Sequence, residues 1–302
     1  MNIGNALDAP TPGEWGVEIR QDYFTTIRQA GFNTVRLPVR FSAHLQDHPP
    51  YLIDADFLGI VKDAVDGGLK SGLIIVLDLH NFDEIMENPV GNEEKILSIW
   101  DQVSRSYVGY PDNLYFELLN EPSRELTSKR WNALLRRLIV IIRNNDPSRK
   151  IIVDTAEYAN IQGLKNLILP EDDNLIVSFH LYAPFEFTHQ GAGWVEGSQS
   201  WKGKTWMGVD DEKTQISSIL DEAAAWSEKM KVPVMIGEFG AIELADSDSR
   251  LRWTNFVARE SEKRGIGWSY WQFCSNFAVY SCQENRWDSD LLGALIPIKA
   301  SK

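Results

Sequence analysis

Residues 114–145 read LYFELLNEPSRELTSKRWNALLRRLIVIIRNN, and this stretch decides the fold. It opens with an apolar run of strand length, Leu114–Leu119, and continues as a helical repeat of apolar positions over 126–144. Between the two sits Asn-Glu-Pro, a polar tripeptide where the strand should end.

The same unit recurs on either side. Further apolar runs lie at Asn2–Asn5, Thr34–Val39, Leu73–Leu79, Ile151–Thr155, Leu175–Leu181, Val232–Ile236 and Ile266–Phe273. Helical patterns fall near 17–30, 54–71, 92–107, 157–168, 210–231 and 246–264, with a short one near 287–295. Gly31, Gly72 and Gly265 stand where helices should end in a left-handed residue, and Asp54, Thr127 and Asp210 are placed as N-caps. The strand runs are continuously apolar, the pattern of parallel strands buried on both faces. Eight such units predict a (β/α)8 TIM barrel, one domain over 1–302, with its site at the carboxyl ends of the strands. A doubly wound sheet is the alternative. No GxGxxG or Walker-type loop follows any strand, which weakens its nucleotide-binding form.

Composition narrows the partners. Forty-three acidic against thirty basic side chains give a net charge of −13, which argues against nucleic acid or an anionic membrane. No apolar run nears the ~20 residues of a membrane helix, and MNIGNALDAP has no secretion signal. Cys274 and Cys282 read as free thiols, and the chain as a monomer. Five histidines show no HExxH, no His-x-His and no cysteine partner, so neither metal nor organic cofactor is expected. The absence of GxSxG speaks against a Ser-His-Asp site.

Ionisable or aromatic groups end six of the runs: Arg36, His80 with Asn81, Asn120 with Glu121, His180 with Tyr182, Glu238, and Trp271. Convergence of such groups on one rim is chemistry rather than stability, although His80 and His180 also admit a reading as satisfied core histidines. Glu121 and Glu238, ending the fourth and seventh runs, suit glycosidic cleavage: one protonates the leaving oxygen while the other attacks or activates water. Asn120 is placed to bond a sugar 2-hydroxyl, and Tyr182 to hold the nucleophile's pKa low. Arg36 either steadies that nucleophile or pairs with an acid inside the barrel. Glu117 is read as a deeper group paired with an arginine. The stretch 183–209 carries Phe185, Phe187, His189, Trp194, Trp201 and Trp206, of which Trp194 and Trp206 are the candidate sugar platforms.

These residues resemble glycoside hydrolase family 5, the cellulase family. NIGNALDAP, VRLPVRFS, DLHN, LLNEP, FHLYAPFEFTHQGAGWVEG, IGEFGA and YWQFCS carry the resemblance along nearly the whole chain. It implies a retaining endo-β-1,4-glucanase with Glu121 as acid/base and Glu238 as nucleophile, completed by Arg36, Asn120, His180 and Tyr182. Asn5, Asp8, His80, Asn81, His189, Trp194, Trp206, Trp271 and Gln272 are the expected substrate contacts. Asn81, Gln272 and Asp8 depart from the pattern and put substrate preference in question. A β-mannanase, a mixed-linkage glucanase, an exo-glucosidase and a catalytically silent carbohydrate-binding barrel are the rivals. A polymeric substrate favours export over a cytoplasmic oligosaccharidase.

Overall fold

Seven of the eight runs are strands: β1 (Thr34–Val39), β2 (Ile74–Leu79), β3 (Leu114–Glu117), β4 (Ile151–Asp154), β5 (Leu175–Leu181), β6 (Val234–Phe239) and β7 (Gly267–Tyr270). The computed structural model describes residues 1–297, and in it each strand pairs in parallel with the next in sequence order. The remaining run closes the ring through isolated bridges, Asn2 to Arg36 and Leu7 to Val39. On its other side the Asn2 N–H donates to Tyr270 O (3.0 Å), and the Phe273 N–H donates to Asn2 O (2.9 Å). Eight staves therefore enclose the core. Gly4 leaves this stave no room for a side chain, since a Cβ there would lie 2.5 Å from the Trp271 ring.

Helices return the chain between strands: α1 (Gln21–Gln29), α2 (Ala55–Lys70), α3 (Asp83–Glu87), α4 (Pro89–Ser106), α5 (Ser128–Asn145), α6 (Ala156–Ala159), α7 (Phe185–Thr188), α8 (Asp210–Met230), α9 (Ser247–Lys263) and α10 (Ser289–Leu295). None is long and apolar enough to cross a membrane among the described residues. The glycines act as expected, with φ of 106°, 76° and 69° at Gly31, Gly72 and Gly265. Asp54 caps α2, accepting from the Phe57 N–H at 2.8 Å. Thr127 occupies the N-cap position of α5 but makes no side-chain capping bond, and Asp210 is the first residue of α8 rather than its cap. Glu212 reaches back instead, its carboxylate accepting from the N–H groups of Gly208 and Val209.

Two further expectations are overturned. The helix expected over 157–168 is one short turn and a 3-10 segment, Ile161–Asn166. Glu157, Tyr158 and Ala159 are all left-handed (φ 63°, 63° and 52°), and a right-handed helix cannot pass through them. The cysteines are not free thiols: Cys274 and Cys282 are disulfide-bonded, with Cα atoms 5.9 Å apart. Beyond β7 the chain reverses through a 3-10 turn, Ser275–Phe277, so that the Val279 and Tyr280 N–H groups donate to Gln272 O and Phe273 O (3.2 and 2.9 Å). The two cysteines meet there, just before the antiparallel pair β8 (Tyr280–Ser281) and β9 (Arg286–Trp287) closes.

Candidate active site

The site grows from one buried cation. Arg36 on β1 donates from Nε and Nη2 to the two oxygens of Glu117 (2.9 and 2.7 Å), and Nη2 lies 3.0 Å from Asp78 Oδ2. Its remaining amine, Nη1, donates to Glu238 Oε1 at 2.7 Å and to Asn2 Oδ1 at 3.0 Å. Arg36 thus takes both roles that its sequence position allowed. Glu117 is the deep, arginine-paired acid that alternation along the strand implied.

Glu238, at the end of β6, is gripped from both sides. Tyr182, just past β5, donates its hydroxyl to Oε2 at 2.8 Å. Burial alone would push this carboxyl up, but the positive charges of His180, Arg36 and His80, together with the Tyr182 donor, outweigh it and bring the pKa to about 2. Burial and the Glu238 charge push Tyr182 well above its ordinary value, so it remains a donor.

Glu121 follows the last residues of β3 in a left-handed conformation, φ 51°, an uncommon geometry for a non-glycine residue and one that collects at functional sites. Its Oε1 lies 2.7 Å from His180 Nδ1, and that same nitrogen is 3.6 Å from Glu238 Oε2. One imidazole therefore stands between the two acids. Burial would lower its pKa, but Glu238, Glu121 and Asp154 raise it to about 10, so the ring is a cation. Oxygens of Glu121 and Glu238 come within 4.8 Å of one another. Glu121 is about a third exposed, whereas the Glu238 side chain is 6% exposed. Glu121, His180 and Glu238 have the spacing to hold a cation, as do Glu117, Asp154 and His180. The charge of these acids is met by Arg36 and His180.

His80 and Trp271 form the adjoining wall, their rings stacked with centroids 5.6 Å apart and planes 6° apart. His80 Nδ1 lies 2.6 Å from Asp78 Oδ2. Asn120 Oδ1 accepts from Arg36 Nη2 (2.8 Å), which leaves its NH2 for another acceptor. Asn5 Oδ1 accepts from Gln272 Nε2 (2.9 Å), and Asn81 Nδ2 donates to Asp8 O (2.9 Å), so both neutral residues brace the first loop. His189 is packed between the Tyr182 and Phe185 rings, and burial lowers its pKa to about 4, leaving it neutral.

Two expected substrate contacts are turned inward. Asp8 is buried, and its oxygens accept from the N–H groups of Asn5 and Ala6 (3.0 and 2.8 Å), so it ties a turn. Trp206 is 1% exposed and packs on Phe256, 5.6 Å between centroids; the apolar ring follows the core rather than the rim. Trp194 is 59% exposed, as a platform requires. Three further residues belong to the site. Asp78 stands two before His80, on the same face of its strand. Asp154 is a lone charge at the end of β4, within the apolar run Ile151–Thr155, the kind of signal that marked the other strand ends. Tyr158, exposed on its left-handed turn, lines a 190 Å³ cavity with Glu121, Asn120, His80 and Arg124, and carried no signal of its own.

Known proteins share this arrangement of chain. The model of the cellulase family, glycosyl hydrolase family 5, matches residues 4–277. Endoglucanase H of Acetivibrio thermocellus is 32% identical over 300 residues, covering 97% of this chain and 32% of that protein. Endoglucanase B of Clostridium cellulovorans is 28% identical over 317 residues, covering 95% and 70%. The chain spans about a third of the length of endoglucanase H and of the cellulase/esterase CelE. Endoglucanase Cel5A of Thermotoga maritima superposes with a TM-score of 0.96 at 46% identity, covering 98% of this chain and 96% of that one. That enzyme has been solved in complex with cellobiose and with mannotriose.

Proposed function

Because the chain belongs to glycosyl hydrolase family 5, the cellulase family, we propose that it is a retaining endo-β-1,4-glucanase with Glu238 as nucleophile and Glu121 as acid/base. One observation carries this reading: the two carboxylates come within 4.8 Å across His180, yet sit in opposed environments. Covalent mechanisms hold such groups about 5–5.5 Å apart, and water-inserting ones about 6.5–9.5 Å.

In the first step ionised Glu238 attacks the anomeric carbon while Glu121 gives its proton to the departing glycosidic oxygen. Glu121, now a carboxylate, then takes a proton from the water that cleaves the glycosyl ester. Arg36 and Tyr182 keep Glu238 ionised for attack and stabilise it as it departs. Asn120, its oxygen committed to Arg36, offers its NH2 to the sugar 2-hydroxyl. The stacked face of Trp271 and the exposed ring of Trp194 bind neighbouring sugars, with His80, Asn5, Gln272, Asn81 and His189 fixing hydroxyls directly or by bracing. The chain works as one catalytic domain and a monomer, outside the cell where a polymer is reached.

The Thermotoga maritima enzyme solved with mannotriose gives a second reading some weight, namely mannan as an additional substrate. The test is the product profile on cellulose, mixed-linkage glucan and mannan side by side. Internal cleavage of glucans with retained anomeric configuration is expected. Release of monomers from chain ends, or no reducing sugar at all, overturns the proposal.

A further inference from the structure

We propose that Asp154, at the end of β4, is a positioning residue for Glu121, an inference that rests on the acid/base role given to Glu121 above. Asp154 is fully buried and reaches Glu121 by two routes. Directly, its Oδ2 accepts from the Glu121 backbone N–H at 3.0 Å. Indirectly, the same oxygen lies 3.7 Å from Nε2 of His180, whose Nδ1 is 2.7 Å from Glu121 Oε1. One side chain thereby fixes the acid/base at its main chain and, through an imidazole, at its Oε1.

The backbone contact matters because φ at Glu121 is 51°. A non-glycine residue keeps that conformation only where its surroundings over-determine it, and the bond from Asp154 is the constraint on its amide. The rest of the Asp154 environment is built for the same purpose. Its own carbonyl accepts from Trp131 Nε1 (2.9 Å), anchoring the strand end to α5. Beneath the imidazole, Gly237 admits no side chain, since a Cβ there would lie 2.5 Å from Ser178 Oγ and 3.0 Å from His180 Nε2. His180 therefore lies between Asp154, 3.7 Å behind it, and Glu121, hydrogen-bonded in front at 2.7 Å.

A residue that positions the acid/base affects only the steps that move its proton. Departure of a cello-oligosaccharide needs that proton; departure of dinitrophenolate does not. The experiment measures both substrates on one preparation each of wild type, Asp154→Ala and Asp154→Asn, so the folded fraction cancels from the ratio. Asp154→Ala should lower kcat/KM on cellotetraose ~10- to 100-fold and leave that on dinitrophenyl β-cellobioside within about twofold. With the activated substrate kcat and KM should fall together, because deglycosylation still uses Glu121 as base. Asp154→Asn retains an acceptor for the Glu121 amide and should recover part of the loss. Equal losses on both substrates, or no change in their ratio, overturn the proposal. A wild-type enzyme inert on both would overturn the acid/base reading as well, a result distinct from an unchanged ratio.

Discussion

Tyr182 donates its hydroxyl to Oε2 of Glu238 at 2.8 Å, opposite the 2.7 Å bond from Arg36 to Oε1. The two donors come from opposite sides of the barrel wall, β1 and the end of β5, and hold the carboxylate ionised with its attacking edge fixed.

Removing the phenol tests that grip. A hydrogen bond to a charged group is worth about 1.5–3 kcal/mol, so Tyr182→Phe should lower kcat/KM by roughly tenfold or more. The sign for pH follows from Glu238, which is held down at about 2 partly by this donor. Loss of the donor raises that pKa, and catalysis needs the ionised form, so the acid limb of the pH profile moves to higher pH. An acid limb that stays in place would show that Tyr182 does not tune the nucleophile.

The aromatic loop offers a contrast. Trp194 is 59% exposed and Trp206 is 1% exposed. Trp194→Ala should raise KM on polymer several-fold and leave Tm nearly unchanged, as expected for a surface residue. Trp206→Ala should cost about 3–5 kcal/mol of stability by opening a cavity, with kcat/KM per folded molecule preserved. Thermal unfolding and kinetics on both variants decide the matter; the reverse pattern would return Trp206 to the substrate.

Asn81 and Gln272 hold the first loop at Asp8 and Asn5. Asn81→His and Gln272→Glu should shift the glucan-to-mannan ratio of kcat/KM by about 1–2 kcal/mol, the scale of one altered hydrogen bond. An unchanged ratio in both variants would make them scaffold.

The barrel and the paired acids were legible because each rests on a local pattern. Apolar runs ending in one polar group marked the strands, and NEP and GEFG marked the two glutamates. Asp8 and Trp206 misled for a shared reason: residue type shows what a side chain can bind, while its direction depends on packing. Asp8 turned to the amides of its own loop, and Trp206 to Phe256. The 157–168 segment failed because three successive left-handed residues override a helical pattern. The disulfide was hidden because its halves are joined by an irregular reversal through the short 3-10 turn Ser275–Phe277, which no apolar periodicity marks.

Exhaustive chelation should leave the rate unchanged. Arg36 and His180 supply positive charge to the nucleophile, and Glu121 supplies the proton, so the proposed steps use no ion. A loss restored by one specific divalent cation would overturn that expectation and point to the Glu121, His180 and Glu238 trio.

The division of labour between the two glutamates is tested most directly by azide rescue of their alanine variants. Glu121→Ala should still form the glycosyl ester from a dinitrophenyl glycoside and then stall, for want of a base to activate water. Azide needs no base, so it should restore turnover and give the β-glycosyl azide. Glu238→Ala forms no ester; azide entering the vacated space should give the α-glycosyl azide. NMR of the two products reads the answer. These anomers are the predicted result, and the opposite pair would exchange the roles assigned to Glu121 and Glu238.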